Sequence, residues 1–139
     1  MTETQDATRS IQVDQFLPHP PARVWRALTD PAMLARWWAP GDIRPEVGHR
    51  FHLDMDSWGQ VPCRVLEVEP GQRLVFTFND SWTLDWRLVA EGDGTRLFLE
   101  HRGFDLDDPR DRHAFEQMGP GWRDEVLPDL ARLLDEADI

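Results

Sequence analysis

The chain has 139 residues, 40% of them hydrophobic and 29% charged, with a formal net charge of −11. That length suits one domain with one core, and the acidic excess opposes binding to phosphate backbones or anionic lipid. The lone Cys63 excludes an intrachain disulfide, and no apolar run approaches the roughly 20 residues of a membrane span.

The polar start "MTETQDATRS" lacks the apolar stretch of a signal peptide, so a soluble, cytoplasmic setting is expected. Residues 1–9 read as a disordered leader and residues 10–139 as a single domain. "SIQVDQFL" alternates apolar and polar side chains at Ile11 and Val13 and predicts a strand. Pro21 suits the first turn of a helix carrying Val24, Ala27 and Leu28 at helical spacing. Asp30 and Pro31 then form an N-cap and N1 pair opening a second short helix, whose apolar face is Met33, Leu34, Trp37 and Trp38. "APG" ends it. Trp37 is expected to lock this helix onto the body of the domain. Trp38, bordering the exit, is expected nearer a pocket mouth, with the exchange of these two roles as the alternative, and the pair would form a short lid.

The middle of the chain is β-rich. "RFHLDM" puts Phe51, Leu53 and Met55 on one face and His52, Asp54 and Asp56 on the other. "QVPCRVLEVE" changes parity between Val65 and Leu66, which predicts a bulge or a strand buried on both faces. "RLVFTF" and "WTLDWRLVA" align Leu74, Phe76, Phe78, Trp82, Leu84, Trp86 and Leu88. "EGDG" is a hairpin signal, and "TRLFLEHRGF" aligns Leu97, Leu99 and His101. These strands predict an antiparallel meander with one wet and one apolar face.

The C-terminal part is helical. Asp108 and Pro109 open a short helix that "GPG" is expected to break or bend. Trp122, Val126, Leu127, Leu130, Leu133, Leu134 and Ala137 form an apolar stripe, in which Pro128 is expected to cause a kink. The order β-α-α-β(4–6)-α requires the long helix to cover the apolar face of the sheet, an α+β arrangement.

The blocks "PHPPARVWRALTDPAMLARWWAPG", "EVGHRFHLDM", "VLEVEPGQRLVFTF", "GDGTRLFLEHRGF" and "GWRDEVLPDLARLL" resemble the SRPBCC/START-like superfamily. Within it, the branch most similar is the activator of Hsp90 ATPase homologue (AHSA1)-like domain. The resemblance runs over about residues 10–136. It implies a helix-grip fold with a pocket between sheet and C-terminal helix. It also implies a role among proteins that bind lipids, polyketides or other apolar molecules, some of them cyclases and one branch a chaperone activator.

The chemistry-bearing residues are sparse. His49 and His52 would fall on opposite strand faces and no cysteine cluster exists, so no metal or cofactor is expected. Cys63 reads as a buried structural thiol. His101 shares the inward parity of Leu97 and Leu99. It reads either as a hydrogen-bonded core group or as a ligand donor and, in an enzyme, a proton carrier with a pKa near neutral. Seven Trp and seven Phe without Tyr give the stronger signal. Such flat rings fill a core or wall a pocket with few polar groups. The expected ligand-binding set is Trp38, Phe51, Leu53, Phe76, Phe78, Trp86, Leu99, His101, Phe115, Met118 and Trp122. The expected partner is a hydrophobic small molecule, with no nucleic acid and no membrane, and the protein a monomer or homodimer. The leading reading is a binding protein rather than an enzyme. The alternatives are a cyclase or hydrolase using the same cavity, and a protein-interaction module like the Hsp90 activators.

Overall fold

The structure is a computed structural model and describes residues 8–55 and 59–136. Asp56 and Ala137, placed above on a strand face and a helix stripe, lie outside the described residues. Six strands form one antiparallel sheet: β1 (Thr8–Leu17), β2 (Arg50–Asp54), β3 (Gln60–Glu69), β4 (Arg73–Phe78), β5 (Trp82–Glu91) and β6 (Gly94–Asp105). Their order across the sheet is β1-β6-β5-β4-β3-β2, so every neighbour except the β1–β6 pair is joined by a sequential connection. β1 begins at Thr8, two residues inside the expected leader, because Thr8 and Arg9 pair with Asp105 and Phe104.

The β3 register shifts between Val65 and Glu67, where the side-chain parity changes in the sequence. The extra residue bends the strand and adds to the curvature of the sheet. The β4–β5 turn puts Asn79 and Asp80 at positive φ, 62° and 57°, a conformation those two residue types tolerate better than most.

Two short helices, α1 (Pro21–Thr29) and α2 (Pro31–Trp37), follow β1. The Asp30 carboxylate caps α2 by accepting from the amides of Ala32 and Met33 at 2.9 and 3.4 Å. Past α2 the chain runs close against β2. A Cβ on Gly41 would stand 2.5 Å from the His52 carbonyl oxygen, so only glycine fits there.

A helical run of 28 residues ends the described chain. It comprises α3 (Pro109–Gly121), a π-helical turn (Trp122–Val126) and α4 (Leu127–Glu136). The expected break at Gly119–Gly121 does not occur: Gly121 holds helical φ and ψ of −60° and −47°. Glycine adopts helical angles at a modest entropic cost, and packing of Ala114 and Trp122 against the sheet overrides it. Pro128 acts upstream of itself. It has no N–H for the Asp124 carbonyl, and its ring would crowd that carbonyl. The backbone opens into the wide turn instead, with the Leu127 amide bonded to the Trp122 carbonyl. The added residue per turn lets Trp122 and Leu127, five apart, both be buried, and α4 continues with Leu130, Leu133 and Leu134 inward.

The core lies between the inner sheet face and these helices. Trp86, Phe76, Phe78 and Phe104 are at most 2% exposed, and burying each such side chain contributes about 1.5–3 kcal/mol. Arg23 donates to the Leu134 carbonyl at 2.8 Å, and His19 Nε2 lies 2.8 Å from the Asp135 carboxylate. Both contacts fasten the end of α4 to the β1–α1 corner.

Candidate ligand cleft

A cleft of about 360 Å³ lies between the C-terminal helical run and the sheet. Its sheet wall is Phe78 from the end of β4 and His101 from β6. Trp38 enters from the end of α2, and Met55 from the residue after β2. The helical wall is Gln117, Met118 and Gly121 of α3, followed by Trp122, Glu125 and Val126 of the π-helical turn. Depressions of about 480 and 520 Å³ lie on the outer sheet face. The first is bordered by polar residues such as Arg50, His52 and Arg64 of the strands and Asp80 of the β4–β5 turn, and the second by Gln12, Asp14, Arg87 and Glu100. Neither has the convergent aromatic walls of a small-molecule site.

Those walls touch one another in the cleft. Trp38 and Trp122 have ring centroids 5.1 Å apart at 57°, and Trp38 stacks on Phe78 at 5.8 Å. Trp37, the other member of the tandem pair, is 3% exposed and donates from Nε1 to the Ala27 carbonyl at 2.9 Å. The pair thus divides: Trp37 pins α2 to α1, and Trp38 faces the cleft.

His101 is fully buried, and its Nδ1 accepts from Trp122 Nε1 at 3.1 Å. An indole nitrogen only donates, so Nδ1 is unprotonated and the neutral ring carries its proton on Nε2. Nε2 has no hydrogen-bond partner among the described residues. Rings of Phe104, Trp82 and Phe78 stand 4.6, 5.5 and 5.9 Å away. Burial pushes the His101 pKa down from its ordinary 6.5 to about 3. The sequence-based expectation of a proton carrier near neutral pH is therefore corrected: His101 is a neutral group at physiological pH, because the aromatic box cannot solvate an imidazolium.

Of the expected set, Trp38, Phe78, His101, Met118 and Trp122 converge on the cleft. The other six do not line it. Phe51 packs edge-on against Phe76 at 5.4 Å, and Leu53 and Leu99 are core. Trp86 stands behind the wall, edge-on to Trp37 and Trp122 at 5.9 and 5.6 Å. Phe115 is turned to Phe104 at 5.4 Å. Inward parity made these residues candidates, but most inward positions fill the core. The residues missed were Met55, Gln117, Gly121, Glu125 and Val126. Met55 shares the parity of Leu53, and the others stand one, three or four residues from Met118 and Trp122. Val126 already stands in the apolar stripe of the C-terminal helix, whereas Gln117, Gly121 and Glu125 carry no apolar side chain to mark them.

Cys63 is 4% exposed, and burial pushes its thiol up to about 12, so it is an inert core group. Among the described residues no group of three or more His, Cys, Asp and Glu side chains is placed to hold a metal ion. No helix among them is long and apolar enough to cross a membrane.

A family model described as activator of Hsp90 ATPase homolog 1-like protein matches residues 18–135. Among solved structures, protein MLL2253 of Mesorhizobium loti is 34% identical with a TM-score of 0.84, over 94% of this chain and all of that one. CalU16 of Micromonospora echinospora is 30% identical with a TM-score of 0.71, over 93% of this chain and 78% of that one. DynU16, described as a protein of the dynemicin biosynthetic locus, is 25% identical with a TM-score of 0.77, over 91% of this chain and 47% of that one. No curated protein matches the chain.

Proposed function

The chain belongs to the activator of Hsp90 ATPase homolog 1-like family, and we propose that it binds an apolar small molecule in the cleft between its sheet and C-terminal helical run. One observation carries this reading: a space of about 360 Å³ walled by Trp38, Phe78 and Trp122, with the neutral His101 in the same wall. Apolar area removed from water supplies roughly 25 cal/mol per Å² before association costs, so affinity would come from the rings. DynU16 comes from a biosynthetic locus, which agrees with a small-molecule role within this fold. A cyclase or hydrolase would route proton transfer through His101, but burial makes that imidazole a weak base and its one lone-pair nitrogen, Nδ1, already accepts from Trp122. We therefore favour binding over turnover.

The test is a ligand screen read by tryptophan fluorescence, since Trp38 and Trp122 both line the cleft. Saturable quenching by apolar aromatic compounds, weakened about tenfold or more in Trp122→Ala, is expected where a central aromatic anchor is removed. Binding that is unchanged in that variant, or absent across a broad panel, would overturn the reading.

A further inference from the structure

The charges around the cleft are one-sided. Among its lining residues the ionisable ones are Glu125 and the buried His101, and none is Arg. All 15 basic residues of the chain are arginine, so no lysine can reach in. Glu125 is exposed and makes no ion pair among the described residues. It lies in the π-helical turn three residues past Trp122 and lines the cleft together with Gln117 and Val126.

Ring faces are negative because of their quadrupole, and Trp presents the strongest such face. A carboxylate or phosphate entering this cleft would lose water, meet π faces and find no cation. An ammonium would meet π faces and a carboxylate, inside a chain with a net charge of −11. We infer that the cleft selects aromatic organic cations, with the ammonium at the mouth between the Glu125 carboxylate and the indoles of Trp38 and Trp122, and the apolar body inside. This rests on the apolar-binding reading above and adds the charge of the ligand to it.

Three probes of one shape test it by isothermal titration calorimetry: (naphth-2-ylmethyl)trimethylammonium, its uncharged carbon analogue 2-neopentylnaphthalene, and naphthalene-2-acetate. The cation is expected to bind about tenfold tighter than the hydrocarbon, as a partly exposed cation–π and ion-pair site provides, and the acetate to bind weakest. Glu125→Gln is expected to reduce the cation-to-hydrocarbon affinity ratio to about one third or less of its original value. Glu116→Gln removes the same charge from an exposed α3 position outside the cleft and is expected to keep the ratio. Raising the salt concentration should lower it. A hydrocarbon that binds as well as the cation overturns this inference and leaves the apolar-binding reading standing. So does an equal loss in Glu125→Gln and Glu116→Gln, which would make the preference one of net charge. Binding of none of the three overturns both readings.

Discussion

Trp122 donates its indole N–H to Nδ1 of His101 across 3.1 Å, joining the C-terminal helical run to β6 through a buried polar bond. The bond sets the imidazole tautomer and holds one wall of the cleft against the other. Trp122→Phe keeps an aromatic ring but leaves Nδ1 buried without a donor. The expected loss is about 1–3 kcal/mol of stability, measured by urea unfolding. A Trp122→Phe, His101→Leu double variant should lose less than the sum of the single changes, because no orphaned nitrogen remains.

The same histidine makes stability depend on pH in a defined direction. In the unfolded chain it takes up a proton near 6.5, whereas the folded protein resists protonation down to about 3. The contribution is therefore complete above 6.5 and is lost as pH falls from there toward 3. At about pH 5 the loss is about 2 kcal/mol. Unfolding curves at pH 7.5 and 5 should show it in the wild type, and His101→Asn should flatten it. An unchanged slope in that variant would remove His101 as the cause.

Gly121 separates stability from binding. It is helical and lines the cleft, and a Cβ added there meets nothing within 4 Å. Gly121→Ala is expected to raise stability by up to about 1 kcal/mol through helix propensity. Gly121→Leu would extend into the cleft and should reduce ligand affinity while the fold stays intact, as read by thermal melting and fluorescence titration together.

On the outer sheet face, Asp85 is 3% exposed although it is charged. Arg73 grips it in bidentate fashion at 3.1 and 2.9 Å, and Arg102 adds a bond at 3.0 Å. Burial alone would push the carboxyl pKa up, but the bonds from the two arginines outweigh it and hold it below its ordinary value. Its contribution is present above the ordinary carboxylate range and is lost as pH falls below that range, so its loss begins well below pH 6.5, where the His101 loss begins. Asp85→Asn should cost about 2 kcal/mol in urea unfolding at pH 7 and leave cleft binding unchanged.

Much of the site was legible in the sequence where period and parity decide orientation. Period-2 alternation put Phe78 and His101 on the inner face, and the Asp30–Pro31 start placed Trp38 at a helix exit. Parity could not say which inner residues meet a gap. Trp86 and Phe78 lie on neighbouring strands with the same parity, yet one is sealed behind Trp37 and Trp122 and the other lines the cleft. Glu125 escaped because the C-terminal stripe is marked by apolar residues, and a carboxylate three residues past Trp122 carries no such signal.

By itself, the sequence determined the order of strands and helices, the inward face of each and the acidic character of the surface. These follow from hydrophobic period, caps and composition, which act over a few residues. The tertiary structure alone decided three things: that the last helical run is continuous, that Pro128 is accommodated by a wide turn, and that His101 is neutral and bonded to Trp122. Each depends on groups far apart in the chain being packed together, where burial changes what a glycine, a proline or an imidazole does.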